Sequence, residues 1–362
     1  MAKKRIKLII LGAGASIGSK RYPIKSSFNQ IRDTMPSADN FFYDLFKMNK
    51  TEKRSAGALN FLGLTFESLN DLITRSWNIN DDGFDHAEWK GVNIEEVMTF
   101  FEIGSKMHSR GSIEKKVFAK AQEYLLSFMH PLMPMICEGQ HCEYLLDVFF
   151  HLGRRDTVIS YNWDTIADYT LARADCIQLK NYAKLLRADS IKPAEWRNKG
   201  LLLKLHGSFN WMVCQNRKCA LFNKIAPPFQ KNRYKLLDLS KTWTCSCCGG
   251  TKLKPQIVPP VSNKMIHKNS FLKNQWLIAR EKLLDVHELV FIGYSFPPTD
   301  HYTEWLFRQL NLIANRRSIR IIVVNPEYGK RNSIVTRRYN SVFRGYEIEN
   351  YKTLREYSEH LN

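Results

Sequence analysis

The chain is short of the features that define several protein classes. Cysteine is sparse, and 8 in 362 residues are too few for a disulfide scaffold. Glycine and proline number only 18 and 13, which excludes collagen-like and low-complexity chains. No apolar run approaches the roughly 18 residues needed to span a bilayer, and no internal repeat is visible. Acidic residues are outnumbered: 35 Asp and Glu stand against 54 Lys and Arg, for a net charge of +19. Such a field suits nucleic acid, an anionic cofactor or an acidic subunit, and equally describes a solvated basic surface.

The remaining composition is globular. Hydrophobic residues make up 44% and charged residues 25%, enough for a sizeable core. The length fits two domains or one domain with insertions. Five of the cysteines crowd between positions 214 and 248, which points to metal in a reducing compartment. The opening Met1-Ala2-Lys3-Lys4-Arg5 looks like the start of a secretion signal, but Leu8-Ile9-Ile10-Leu11 ends in a glycine loop, as a buried strand does. A soluble, cytoplasmic protein is expected, with no membrane partner.

Ile6 to Leu11, followed by Gly12-Ala13-Gly14, is the pattern of a buried parallel strand entering a tight turn. Further strand-like runs are Thr157 to Ser160, Leu201 to Leu205, Leu289 to Ile292 and Ile319 to Val324, with helical patterns between several of them, notably His301 to Ala314. That alternation predicts an α/β fold on a parallel sheet. Residues 40–150 differ. Phe41, Phe42, Leu45 and Phe46, then Val117, Ala121, Tyr124 and Leu125, then Tyr144, Leu145, Val148 and Phe149 recur at helical spacing, so this stretch reads as a helical insertion.

In an open parallel sheet, ligands bind at the carboxyl ends of the strands. Four such ends carry glycine or polar residues here: Gly12 to Ser16, Tyr161 to Asp164, His206 to Ser208 and Gly293 to Ser295; Asn325 ends a fifth run. Gly12-Ala13-Gly14-Ala15-Ser16-Ile17-Gly18 spaces its glycines as GxGxxxG. It can hold a pyrophosphate on backbone amides and the Ser16 hydroxyl, or be only a strand-to-helix turn. Asp33 stands where a dinucleotide-binding acid would, but Ser27 to Arg32 does not read as a strand, so a standard dehydrogenase is not expected. Asp164 is a ligand contact or a helix N-cap, Asn162 a contact or a turn residue, and His206 a catalytic or a structural histidine. Only their combination is specific.

That combination resembles the sirtuins. The resemblance rests on Gly12 to Ser16, Asn162 and Asp164, His206-Gly207, the cysteines from Cys214 to Cys248, Gly293-Tyr294-Ser295 and Asn325, in order along nearly the whole chain outside the insertion. Two motifs of the protein deacetylases are missing. Arg21-Tyr22-Pro23-Ile24-Lys25 stands in place of their Gly-Ile-Pro-Asp-Phe-Arg, and Lys254-Pro255-Gln256-Ile257-Val258-Pro259-Pro260 in place of the Phe-Gly-Glu segment that pairs with the peptide. Prolines there remove backbone donors that a peptide strand would need. The chain is more similar to the NAD-hydrolysing sirtuin-like proteins of bacterial anti-phage defence, through residues 12–16, 160–164 and 293–300.

The resemblance implies one NAD-binding domain over 1–362, a Rossmann-like sheet carrying a helical insertion at 40–150 and a zinc module at 212–256. For the module, Cys214-x4-Cys219 and Cys245-x2-Cys248 suit a closed, structural tetrahedral zinc site. Cys247 is able to replace Cys245 or Cys248, and loop thiols without metal are the other reading. Cys137, Cys142 and Cys176 read as core or surface thiols.

The expected activity is cleavage of the nicotinamide–ribose bond of NAD through an oxocarbenium-like transition state, giving nicotinamide and ADP-ribose. Asn162 would hold the ribose or the attacking water, Asp164 would orient the nicotinamide amide, and His206 would be the general base. Gly12, Ala13, Gly14, Ala15 and Ser16 would hold the pyrophosphate, with Tyr161, Gly293, Ser295 and Asn325 also binding NAD; Ser295 and Asn325 would take its adenosine half. A protein deacylase and a non-catalytic nucleotide sensor or nucleic-acid-binding subunit are the alternatives. The aromatics Phe41, Phe42, Phe46, Phe61, Phe66, Trp77, Trp89, Phe100 and Phe101 predict a homo-oligomer assembled partly through residues 40–150, or else pack the insertion's own core. Resemblance alone adds a second defence subunit, such as a HerA-like ATPase, through which nucleic acid would be met.

Overall fold

Six segments form a wholly parallel sheet. They are β1 (Lys7–Leu11), β2 (Thr157–Ser160), β3 (Leu202–Lys204), β4 (Glu288–Ile292), β5 (Arg320–Val324) and β6 (Ile348–Tyr351). Their spatial order is β3-β2-β1-β4-β5-β6, and every neighbouring pair is parallel. The order reverses at β1, so the chain's first strand lies at the centre with Leu11 opposite both Ser160 and Ile292. Nearly every residue of β1 to β5 is buried, which explains why these strands read as continuous apolar runs.

The computed structural model describes residues 5–17, 21–22, 37–43, 69, 71–79, 86–137, 141–188, 190–222, 224–226, 244–249, 253–258, 266, 269–298, 300–312 and 319–362. Among residues named above, Met1 to Lys4, Gly18, Pro23 to Lys25, the segment 27–32, Asp33, Leu45, Phe46, Phe61, Phe66, Pro259, Pro260 and Ala314 lie outside them. By its internal contacts the chain divides into a unit of Met1–Ile24, Cys137–Val258 and Met265–Asn362, and a second of Lys25–Ile136 and Pro259–Lys264.

In the first unit, helices follow the strand ends: Ala13–Ile17 after β1, Ile166–Arg173 after β2, His301–Arg308 after β4, Ile334–Val342 after β5 and Leu354–Leu361 after β6. After β3 the chain instead enters a three-stranded antiparallel sheet, with Gly207–Val213 between Ile225–Ala226 and Lys254–Ile257. Pro255 thus sits in an edge strand, where a missing donor is tolerated. Gly207 has φ +79°, and a Cβ there would stand 2.2 Å from the Gln256 carbonyl oxygen, so the residue after His206 has to be glycine.

The second unit is helical where described. Asn93 caps the helix Ile94–Met107, its Oδ1 accepting from the Glu95 amide at 2.7 Å. Ile94, Val97, Met98 and Phe101 make the buried stripe of that helix. A turn leads to the long helix Ile113–Cys137, against which Gly104 packs closely: a Cβ on it would meet the Phe118 ring. Phe41, Phe42, Trp89 and Phe101 are buried in this unit's own core, while Phe100 is exposed. No helix among the described residues is long and apolar enough to cross a membrane.

Candidate functional site

The glycine turn after β1 and the loop after β4 are pressed together. The Gly12 amide donates to the Ile292 carbonyl at 3.0 Å and the Gly14 amide to the Gly293 carbonyl at 2.9 Å. Gly293 adopts φ +61°, and a Cβ on it would stand 2.2 Å from the Ala15 nitrogen. These glycines are therefore required by the approach of two backbones. The amides of Gly12, Gly14 and Ala15 are spent within the protein, whereas Ala13 and Gly14 present an exposed surface.

Ser16, on the helix after β1, is buried and joins that turn to the end of β2. Its Oγ donates to Asp164 Oδ2 at 2.7 Å. Asn162 Nδ2 donates to the Gly12 carbonyl at 2.9 Å and to Ser16 Oγ at 3.0 Å. The carbonyl can only accept, and the serine hydroxyl has given its one proton to Asp164. The amide group of Asn162 is thereby held with its nitrogen inward, leaving Oδ1 as the outward acceptor. Asp164 is buried, and its other oxygen accepts from the Ile166 amide at 2.9 Å. Asp164 thus accepts from the first amide of the Ile166–Arg173 helix, whose N-cap position is Thr165, and anchors Ser16 at once.

Below this cluster lies a buried ion pair. Lys204, the last residue of β3, is fully buried with Asp168, its Nζ 3.0 Å from Asp168 Oδ2. The ammonium also donates to the Asp164 carbonyl at 2.6 Å and to Ser208 Oγ, and Asn210 Nδ2 donates to Asp168 Oδ1 at 3.0 Å. The loop carrying Asp164 is held by a charge with its hydrogen bonds satisfied.

His206, two residues past β3, is 8% exposed. Its ring lies edge-on to Tyr161, centroids 5.0 Å apart, and 6.3 Å from Trp276. Tyr161 stacks on Tyr294 at 4.7 Å. His206 Nε2 is 3.5 Å from Asp300 Oδ1, and the Tyr294 hydroxyl donates to Asp300 Oδ2 at 2.6 Å. Burial first, then the Asp300 charge, raise the phenols of Tyr161 and Tyr294 well above their ordinary range, so both stay protonated at neutral pH.

Ser295 is exposed at the end of β4. Asn325 is buried, with both ends of its side chain engaged: Nδ2 donates to the Tyr294 carbonyl at 3.3 Å, and Oδ1 accepts from the Glu327 amide at 2.9 Å. It shapes the loop after β4 as well as ending β5. Ser16, Asn162 and Asp164 are in direct contact, and Tyr161 contacts His206 and Tyr294. Lys204 and Asp168 belong to the same end of the sheet and carry no recognisable motif, whereas Asp300, at that end too, closes the 293–300 segment named above. The pair's only trace in the sequence is a lysine inside the apolar run Leu201 to Leu205 and an acid near the start of a helix.

At the far end of the Gly207–Val213 strand, Cys214, Cys219, Cys245 and Cys248 bring their sulfurs within 4.8 Å of one another. The pairs Cys214–Cys248 and Cys219–Cys245 are 3.8 and 3.7 Å apart. Tetrahedral zinc with Zn–S bonds of about 2.3 Å places its sulfurs about 3.8 Å apart, so these four can hold a metal such as zinc. Cys247 is exposed and stands outside the four. Cys142 is buried, Cys176 half-buried.

No protein-family model matches this chain, and no curated protein matches it either.

Proposed function

We propose that this chain is a sirtuin-like NAD glycohydrolase. The observation that carries the reading is the Ser16–Asn162–Asp164 network at the centre of the sheet, with His206 on the adjoining strand end. The strand order supports it, being that of the Rossmann-like dinucleotide-binding sheets, whose ligands lie where the order reverses.

In this reading NAD lies across the ends of β1, β2 and β4. Exposed Ala13 and Gly14, with Ala15 and Ser16, flank its pyrophosphate; Gly293 and Ser295 face the adenosine half, with Asn325 shaping the loop that carries them. Asn162 Oδ1 accepts from a ribose hydroxyl or the attacking water, and Asp164 holds the Asn162–Ser16 pair while facing the nicotinamide amide. The C1′–nitrogen bond breaks, nicotinamide leaves with the bonding electrons, and water adds to C1′. His206 takes the proton that water gives up. The products are nicotinamide and ADP-ribose. The four cysteines hold a structural zinc remote from this chemistry.

The biological reading is an NAD-depleting effector of cytoplasmic anti-phage defence, acting as a homo-oligomer beside a second subunit such as a HerA-like ATPase. Ile103, Met107, Ile113 and Val117, all exposed on the two long helices of the second unit, support self-association through that region. Light scattering at micromolar concentration is expected to give a multiple of the chain mass, and a monomer with and without the partner overturns the oligomer.

Incubation with NAD tests the activity. Nicotinamide released with no acyl-lysine present supports the glycohydrolase. Release only with an acyl peptide assigns a deacylase, and no release under any partner condition assigns a binding protein.

A further inference from the structure

Asp300 stands at the N-cap position of the helix His301–Arg308, yet its side chain makes no capping bond. Its backbone carbonyl receives the Thr303 and Glu304 amides at 3.1 and 3.2 Å, while the carboxylate turns away into the protein. Aspartate at an N-cap ordinarily accepts from the amides of the first turn. Here one oxygen takes the Tyr294 hydroxyl at 2.6 Å and the other lies 3.5 Å from His206 Nε2. Asp300 is 2% exposed, and a buried carboxylate is costly without partners. The protonated Tyr294 phenol donates to one oxygen, and the imidazole stands 3.5 Å from the other, at ion-pair rather than hydrogen-bond geometry.

We infer that Asp300 is the positioning residue of His206, an ion-pairing carboxylate that fixes the orientation and tautomer of the imidazole. This inference rests on the proposed role of His206 as general base. A carboxylate beside Nε2 favours the tautomer protonated there, which leaves the lone pair on Nδ1 as the basic site. The same carboxylate stabilises the imidazolium once a proton has been taken up, as in other imidazole–carboxylate pairs. Tyr161 at 5.0 Å and Trp276 at 6.3 Å wall the ring, so the pair has little freedom to rotate apart. Facing the ring are the Asp300 carboxylate from the helix after β4, the Tyr161 phenol from the loop after β2, and the Tyr294 phenol behind Asp300; Trp276 brings no charge.

The test is an NMR titration of histidine rings in the full chain without NAD, the His206 signal being assigned by its loss in His206→Gln. Asp300→Asn is expected to lower the His206 pKa by about one unit or more, as loss of an opposite charge does. In turnover it is expected to move the acid limb of the kcat profile to lower pH and reduce kcat at least about tenfold with little change in KM. An unmoved His206 titration in a folded Asp300→Asn protein overturns the inference. Should that variant fail to fold, the ring nitrogen shifts of the unaltered protein decide: Nε2 protonated in neutral His206 supports the pairing, and Nδ1 protonated overturns it. The titration needs no substrate, so absent nicotinamide release overturns the function alone, while an unmoved titration overturns the pairing alone.

Discussion

Ser16 Oγ lies 2.7 Å from Asp164 Oδ2, a buried hydrogen bond between residues 148 positions apart that ties the turn after β1 to the loop after β2. Through it, the hydroxyl is oriented to accept from Asn162. One serine thus fixes both the amide orientation and the carboxylate at the proposed site.

Ser16→Ala removes a donor to a buried carboxylate and is expected to destabilise the fold by about 1–3 kcal/mol. Urea denaturation measures it. NAD turnover should fall as well, because the amide of Asn162 loses one of its two acceptors.

Gly293→Ala tests the contact between the loops after β1 and β4. The backbone there has φ +61°, and the added Cβ would stand 2.2 Å from the Ala15 nitrogen. Strain and overlap together are expected to cost at least about 2 kcal/mol. Thermal melting checks this, and a variant as stable as the parent contradicts the close approach.

Much of this arrangement is legible in the sequence. The apolar runs of β1, β2, β4 and β5 announce a parallel sheet because both faces are covered and hydrophobicity needs no alternation. β6 is different: Ile348-Glu349-Asn350-Tyr351 is an edge strand, and Glu349 pairs with Arg320 at the surface, so no apolar run marks it. The glycines of the first turn are visible, but not that their amides point inward, since that depends on the loop after β4, almost 300 residues away. Lys204 stands inside the apolar run Leu201 to Leu205; its burial follows from Asp168, 36 residues earlier in the chain. Asp300 is visible as the end of the 293–300 segment, but its approach to His206 is not, because that residue sits at another strand end.

The Lys204–Asp168 pair gives a third prediction. Both side chains are fully buried, so removing either alone leaves an uncompensated charge. Lys204→Met and Asp168→Asn are each expected to cost about 3–5 kcal/mol. The double variant is expected to lose clearly less than the sum, because the groups share one interaction. A double-mutant cycle by chemical denaturation decides it, and additive losses contradict the pairing.

For the cysteine cluster, elemental analysis of reduced protein is expected to find about one zinc per chain. Cys214→Ser combined with Cys219→Ser should abolish it and lower the melting temperature, since binding energy at a structural site is folding energy. Cys247→Ser should retain the metal in full.

The most direct measurement is nicotinamide release from NAD by the purified chain, with any activating partner supplied and no acyl-lysine peptide present. The unaltered protein is expected to release nicotinamide and ADP-ribose. Asn162→Ala and His206→Ala, both folded, are each expected to be slower by at least about 10². Release that persists near the parental rate in both variants, or no release from the parent itself, contradicts the proposed site and its chemistry.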